Sequence, residues 1–283
     1  MPLKMKQRKE TNNLVRNVAR NRMNLLVSSL YPEMAAQRRA KLAEKFARKT
    51  HVAGKGYYLG KAAVPAAGTA LFVADAIMGL NPVSAAVALP MAYITKTLAN
   101  DARHSEGGYS PITRRVYVNK NILNDPNMLL TTIDHEGVHF LKRELKLKHP
   151  FGTKEFIAYG VGEAILAPNL AEWKEAEKEF FERDSHGNIS MPLKDEKMGK
   201  SLNSAKSLTQ IPFAIRRKLG MFPGDMIYIM SRTLDEEAGA QTRNKFLRQV
   251  MDGQNPLFSF NLLAKSKGLK AVVEGRMLKI KHT

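Results

Sequence analysis

The chain has 283 residues, 25% charged and 44% hydrophobic, the balance of a globular protein rather than a disordered or fibrous one. It has no cysteine, which excludes disulfides and thiolate metal sites, so any metal must be held by His and carboxylate side chains. Formal net charge is +19 and unevenly placed: residues 1–61 hold fifteen Lys/Arg against three Glu. So basic an end points to a partner of negative charge, nucleic acid or an anionic membrane surface.

In chain order, the N-terminus "MPLKMKQRKETNNLVRNVARNRMNLL" has no apolar signal-peptide core after its basic start, so a cytoplasmic protein is expected. Leu14, Val15, Val18, Met23, Leu25 and Leu26 recur at helical spacing with arginines between them. Tyr31-Pro32 interrupts the run, and a second basic helix is expected from about Glu33 to Lys49. Residues 62–98 are different in kind, with Asp75 and Lys96 as their only charges and a turn signal at Asn81-Pro82. The two apolar arms, each about 17–19 residues, approach the ~20 needed to span a bilayer. This segment therefore reads either as a membrane-associated hairpin with both ends cytoplasmic or as a buried helical hairpin.

"RHSEGGYSP", Arg103 to Pro111, reads as a loop, and Arg114 to Val118 as a short strand. Asn124, Asp125 and Pro126 form a helix start signal. The helical pattern then runs through Met128, Leu129, Thr132, Ile133, Gly137, Phe140 and Leu141, and "HPFGT" ends it. Thr153 is the expected N-cap of a helix from Lys154 to Ala167, stopped by Pro168. A charged helix is expected over 170–183 and a polar linker over 184–206. Beyond these lie the short basic helix "IRRKLG", a longer helix from about Gly224 to Val250, and a terminal hairpin in which Leu278 and Ile280 alternate with Lys279 and Lys281.

The chemistry-bearing motif is "HEGVH", His135-Glu136-x-x-His139. Four residues is a little over one helical turn, so both imidazoles project from one helix face with Glu136 beside the first. Two neutral imidazoles with an adjacent carboxylate are what a zinc hydrolase helix needs. The run of strand, helix bearing this motif and second helix, residues 114–168, resembles the zincin metallopeptidases. The second helix, "EFIAYGVGEAILAP", is similar to the third-ligand helix of the ImmA/IrrE-type gluzincins through Glu155, Ala158, Ile165, Leu166 and Pro168. The resemblance implies zinc held by His135, His139 and Glu155, with Glu136 as the general base toward the metal-bound water. The family usually has Asn where this chain has Tyr159, and fifteen residues between His139 and Glu155 is a short spacing for it. A simple antiparallel hairpin would instead bring Glu163 level with His139, making Glu163 the alternative third ligand, with Glu237 a distant third. Tyr159, His149 and Tyr109 are the candidate donors to a developing oxyanion. Asp134 points away from the metal face and reads as exposed or as a support to the ligands.

"LTQIPFAIRRKLGMFPGDMIYI", Leu208 to Ile229, is similar to one arm of an AbrB-type DNA-binding hairpin, which implies a strand after Pro223-Gly224-Asp225. A helix–turn–helix packed on the core is the favoured reading of the same stretch. Together these expectations describe a mostly helical α+β chain with a zincin-like core and a short edge strand. Its parts are a basic helical region (1–61), an apolar hairpin (62–98), a metallopeptidase core (99–183), a linker (184–206) and a basic helical C-terminal region (207–283). The expected function is a zinc-dependent endopeptidase acting on polypeptides. The alternative is a basic nucleic-acid- or membrane-binding structural protein on a degenerate zincin scaffold.

Overall fold

A computed structural model of the chain describes residues 3–53, 107–110, 115–150, 152–166, 181–193, 196–215 and 225–283. The fold is α+β and mostly helical. Its residues group into two compact units, one formed by 1–17 and 48–132, the other by 18–47 and 133–283.

The first unit is built on a small sheet of β1 (Thr50–Ala53), β2 (Gly107–Ser110) and β3 (Arg115–Asn119) in the order β1-β3-β2. β1 runs parallel to β3 and β2 antiparallel to it. Val116 and Val118 are fully buried, which is why a β-branched run holds this position. The strand expected at an edge is therefore the central one. Its neighbours escape sequence reading because "THVA" is four residues long and "GGYS" carries no alternation. Both are strands because β3 supplies their hydrogen bonds, and Asn12 Oδ1 adds one by accepting from Val52 N at 3.0 Å. Gly107 is required where it stands, since a Cβ there would meet the Tyr117 carbonyl oxygen at 2.7 Å.

The second unit contains the rest of α1 (Leu3–Leu30), most of α2 (Ala36–Lys49) and the greater part of α3 (Pro126–Glu144). α3 starts as its sequence indicates, with Pro126 in its first turn and Asp125 Oδ1 accepting from Met128 N at 3.0 Å. Met23, Leu26 and Leu30 of α1, Phe46 of α2, and Ile133, Phe140 and Leu141 of α3 are almost wholly buried. Phe46 and Phe140 meet with ring centroids 5.1 Å apart. The remainder comprises α4 (Lys154–Leu166), α5 (Glu196–Ser204), α6 (Asp225–Ala238), α7 (Ala240–Met251) and α8 (Pro256–Ala264). α6 packs on α4 and α7, and α7 on α8. An antiparallel sheet of β4 (Glu182–Arg183), β5 (Ile189–Pro192), β6 (Leu269–Glu274) and β7 (Met277–His282) completes it in the order β4-β5-β7-β6. The terminal hairpin is present, with Leu278 and Ile280 buried.

Several expectations need correction. Residues 184–193 and 196–206 are folded rather than a linker, because Ile189, Met191, Leu193, Met198 and Leu202 are buried at strand and then helix spacing among the polar residues. The end of the expected charged helix, Glu182–Arg183, is strand β4, and residues 170–180 lie outside the described residues. The helix expected over 224–250 is two helices, broken at Gly239 in the left-handed region at φ 80°. Asp225 opens α6, not the strand that the AbrB likeness implies: Ile227, Tyr228, Ile229 and Met230 are apolar on every side because the helix is buried. Thr153 does stand at the N-cap position of α4, its carbonyl accepting from Ile157 N at 3.0 Å, while its buried hydroxyl donates back to the Pro150 carbonyl at 2.9 Å. The apolar hairpin over 62–98 and the basic helix over 216–220 lie outside the described residues. Among the described residues no helix is long and apolar enough to cross a membrane.

Candidate metal centre

The two histidines of α3 project from one face because they are four residues apart, and packing holds the opposite face. Gly137 lies on that opposite side, where a Cβ would meet Met23 Cε at 3.4 Å and Leu26 Cδ2 at 3.5 Å. α1 therefore packs against the back of α3, on the side opposite the histidines. Asp134, expected exposed or supporting the ligands, is also turned to the back and is 1% exposed. Arg22 of α1 clamps it, with Nε donating to Asp134 Oδ1 at 2.9 Å and Nη2 to Oδ2. Burial pushes the Asp134 carboxyl up to about 6, although the guanidinium pulls the other way.

α4 closes the front. A Cβ on Gly162 would meet the His135 backbone nitrogen at 3.3 Å, so only glycine allows the two backbones to approach this closely without a shift. Residues 155, 159 and 162 fall on one side of α4 at helical spacing, and this is the side turned to α3. Glu155 thus reaches both histidines. Its Oε2 lies 3.1 Å from His135 Nε2 and 3.3 Å from His139 Nε2, and the two Nε2 atoms are 3.2 Å apart. Hydrogen bonds from His135 and His139 hold the Glu155 carboxyl well below the usual carboxylate range. Tyr159 lies one turn further on, its ring centroid 4.1 Å from that of His135 at 48°. Glu136 is buried beside His135.

The other candidates lie elsewhere. Glu163 is one residue past Gly162, about 100° further round the helix, and is influenced by Asp225 rather than by the histidines. Simple hairpin register misplaces it because close approach at Gly162 selects the side of α4 that faces α3. Its Oε2 is buried with no hydrogen-bond partner among the described residues. Burial first, and Asp225 second, push its carboxyl up to about 8. His149 is also buried, with Nε2 2.7 Å from the Met251 carbonyl oxygen. A neutral ring that donates there retains only an acceptor at Nδ1, so it cannot serve as an oxyanion donor. Burial and the Lys142 charge hold its pKa down at about 4. The Tyr109 side chain lies outside the described residues. Glu237 is not part of the metal-ligating group found among the described residues, which is His135, His139 and Glu155.

Missed from the sequence were the Arg22 clamp on Asp134 and the close approach at Gly162. Only the GxG pattern "YGVGE" hinted at the second. A cleft of about 390 Å³ between Ala164, Tyr228, Arg232 and Arg243 is a separate feature. Its arginines are occupied by Glu236 at 2.9 Å and Asp235 at 2.8 Å. Comparison with protein-family models, curated proteins and solved structures finds no match to this chain.

Proposed function

We propose that the chain is a zinc-dependent peptidase of the HExxH type, with a gluzincin-like core. The observation that carries this reading is the near-equilateral triangle of His135 Nε2, His139 Nε2 and Glu155 Oε2, with sides of 3.1–3.3 Å. Tetrahedral zinc with bonds of about 2.0–2.1 Å separates its ligand atoms by about 3.3 Å, so the donor set fits the ion in both type and spacing. Two imidazoles and one carboxylate leave a fourth position open, the pattern of a catalytic rather than a closed structural site. When bound, zinc supplies Lewis-acid polarisation of a peptide carbonyl and a water that ionises near neutral pH. Glu136 takes the proton from the attacking water and passes it to the leaving amine. Tyr159, its ring tilted against that of His135 and 42% exposed, helps to orient that imidazole and is the candidate donor to a developing oxyanion.

Metal analysis of the purified protein tests the reading. Wild type is expected to bind one zinc per chain, His139→Ala to lose it, and Glu155→Gln to weaken it far more than Glu163→Gln. Equal zinc in wild type and His139→Ala would remove the site. Equal losses in the two glutamate variants would remove Glu155 as third ligand.

A second reading, polyanion binding through the basic N-terminal region, is favoured by α2. Leu42, Ala43, Phe46 and Ala47 of that helix are buried, so the side it leaves to solvent carries Arg38 and Lys41 rather than apolar residues that could enter a bilayer. Salt-sensitive nucleic-acid binding that survives Glu136→Gln would support it.

A further inference from the structure

On α3, Lys142 follows His139 by three residues and His135 by seven. Seven residues bring a helix back to within about 20° of its starting direction, so Lys142 stands on the same face as the two histidines. Side chains on a helix lean toward its N-terminus, which lays the lysine stem over the turn bearing His139. Its electrostatic neighbours agree with this placement, since it lies within range of Glu155 and Lys154 at the start of α4 and of His149. Lys142 is partly buried and makes no ion pair or hydrogen bond among the described residues. Most other half-buried cations of this unit are matched: Arg22 to Asp134, Lys45 to Glu144 and Arg243 to Asp235. A lysine held partly out of water with no carboxylate in ion-pair contact, on the helix face that carries His135 and His139, has its charge left over for an anion that arrives from outside.

We infer that Lys142 is a specificity-determining residue that receives a carboxylate of the peptide substrate, so that the site selects acidic peptides. Position distinguishes this role from oxyanion stabilisation. An oxyanion donor must lie about 3 Å from the reacting oxygen, at the point where His135, His139 and Glu155 converge. Lys142 is rooted about 10 Å along the helix axis from His135, at the His139 end. Extended peptide advances about 3.3 Å per residue, so its ammonium would meet a side chain or chain terminus a residue or two from the scissile bond. The +19 net charge of the chain favours the approach of such substrates.

The inference rests on the peptidase reading, and a binding experiment separates the two. Zinc-loaded Glu136→Gln protein is titrated with fluorescent octapeptide libraries in which successive single positions are fixed as Asp or as Asn, read by fluorescence anisotropy. At one position or two neighbouring ones the Asp library is expected to bind about fivefold or more tightly than the Asn library, an advantage that shrinks with added salt. Lys142→Gln should abolish the advantage and Lys142→Arg should retain it, both with unchanged zinc content and no loss of melting temperature. Equal affinity for Asp and Asn libraries at every position, including no binding of either, would overturn the inference, as would an Asp preference that persists in Lys142→Gln. Cleavage of the same libraries by zinc-loaded wild type, run in parallel, reports on the peptidase reading alone.

Discussion

Glu136→Gln is expected to leave zinc content and thermal stability nearly unchanged while lowering peptide hydrolysis by about 10²-fold or more. Gln keeps the size of the side chain and its hydrogen-bonding capacity, so the buried position beside His135 still packs. It cannot accept a proton, which is the one property the proposed chemistry asks of this residue. The three proposed ligand atoms belong to His135, His139 and Glu155, so metal affinity does not depend on Glu136. A casein digest followed by mass spectrometry, with zinc measured on the same preparations, is the check. Equal hydrolysis by variant and wild type would remove the general-base role even with zinc bound. No hydrolysis by either, with zinc bound, would count against the peptidase and favour the scaffold reading.

The second large effect is on stability. Glu163→Gln is expected to stabilise the protein at and above neutral pH and to change it little near pH 4. In the folded chain the Glu163 carboxyl is raised from 4.5 to about 8, by burial and then by Asp225. A raised folded pKa means that the group's contribution is fully present below its unfolded value and is lost as pH rises through the folded one. The window is therefore about pH 4.5 to pH 8. Across it, at about 1.4 kcal/mol per pH unit, the ionised side chain costs the folded state about 3 kcal/mol by pH 7. Gln removes the ionisation and its amide can still meet a polar neighbour. Urea unfolding at pH 5, 7 and 9 should show the variant gaining on wild type at each step. Parallel pH profiles for the two proteins would mean that Glu163 is solvated and ordinary. Because Glu163 lies apart from the three ligand atoms, the same variant should keep its zinc, which separates this effect from any loss at the metal centre.

His135, Glu136, His139 and the helix that carries them were legible because the information is local. A capped start at Asp125-Pro126, an apolar stripe and a four-residue spacing together specify one helix face. The same holds for the terminal hairpin, where strict alternation of Leu278 and Ile280 with lysines defines a half-buried strand. Strands β1 and β2 were not legible, since four-residue segments such as "GGYS" become strands only when β3 offers its hydrogen bonds. The polar stretch 184–206 misled for a related reason: Ile189, Met191 and Leu193 alternate, but among so many polar residues this short run becomes a strand only when β7 supplies its hydrogen bonds.

The choice between Glu155 and Glu163 marks the boundary most clearly. By itself the sequence determined that two imidazoles share a face and that carboxylates follow on a second helix, because helical periodicity is set by backbone geometry alone. Which carboxylate reaches the imidazoles was decided by the rotation of α4 about its own axis, and that depends on how two helices pack. The missing side chain at Gly162 lets the backbones of α3 and α4 approach, which turns Glu155 toward the histidines and Glu163 toward Asp225. The same dependence on partners governs Asp134, whose burial against Arg22 joins residues 112 positions apart in the chain. A contact of that range leaves no local signature, because its stabilising partner exists only once the helices have docked.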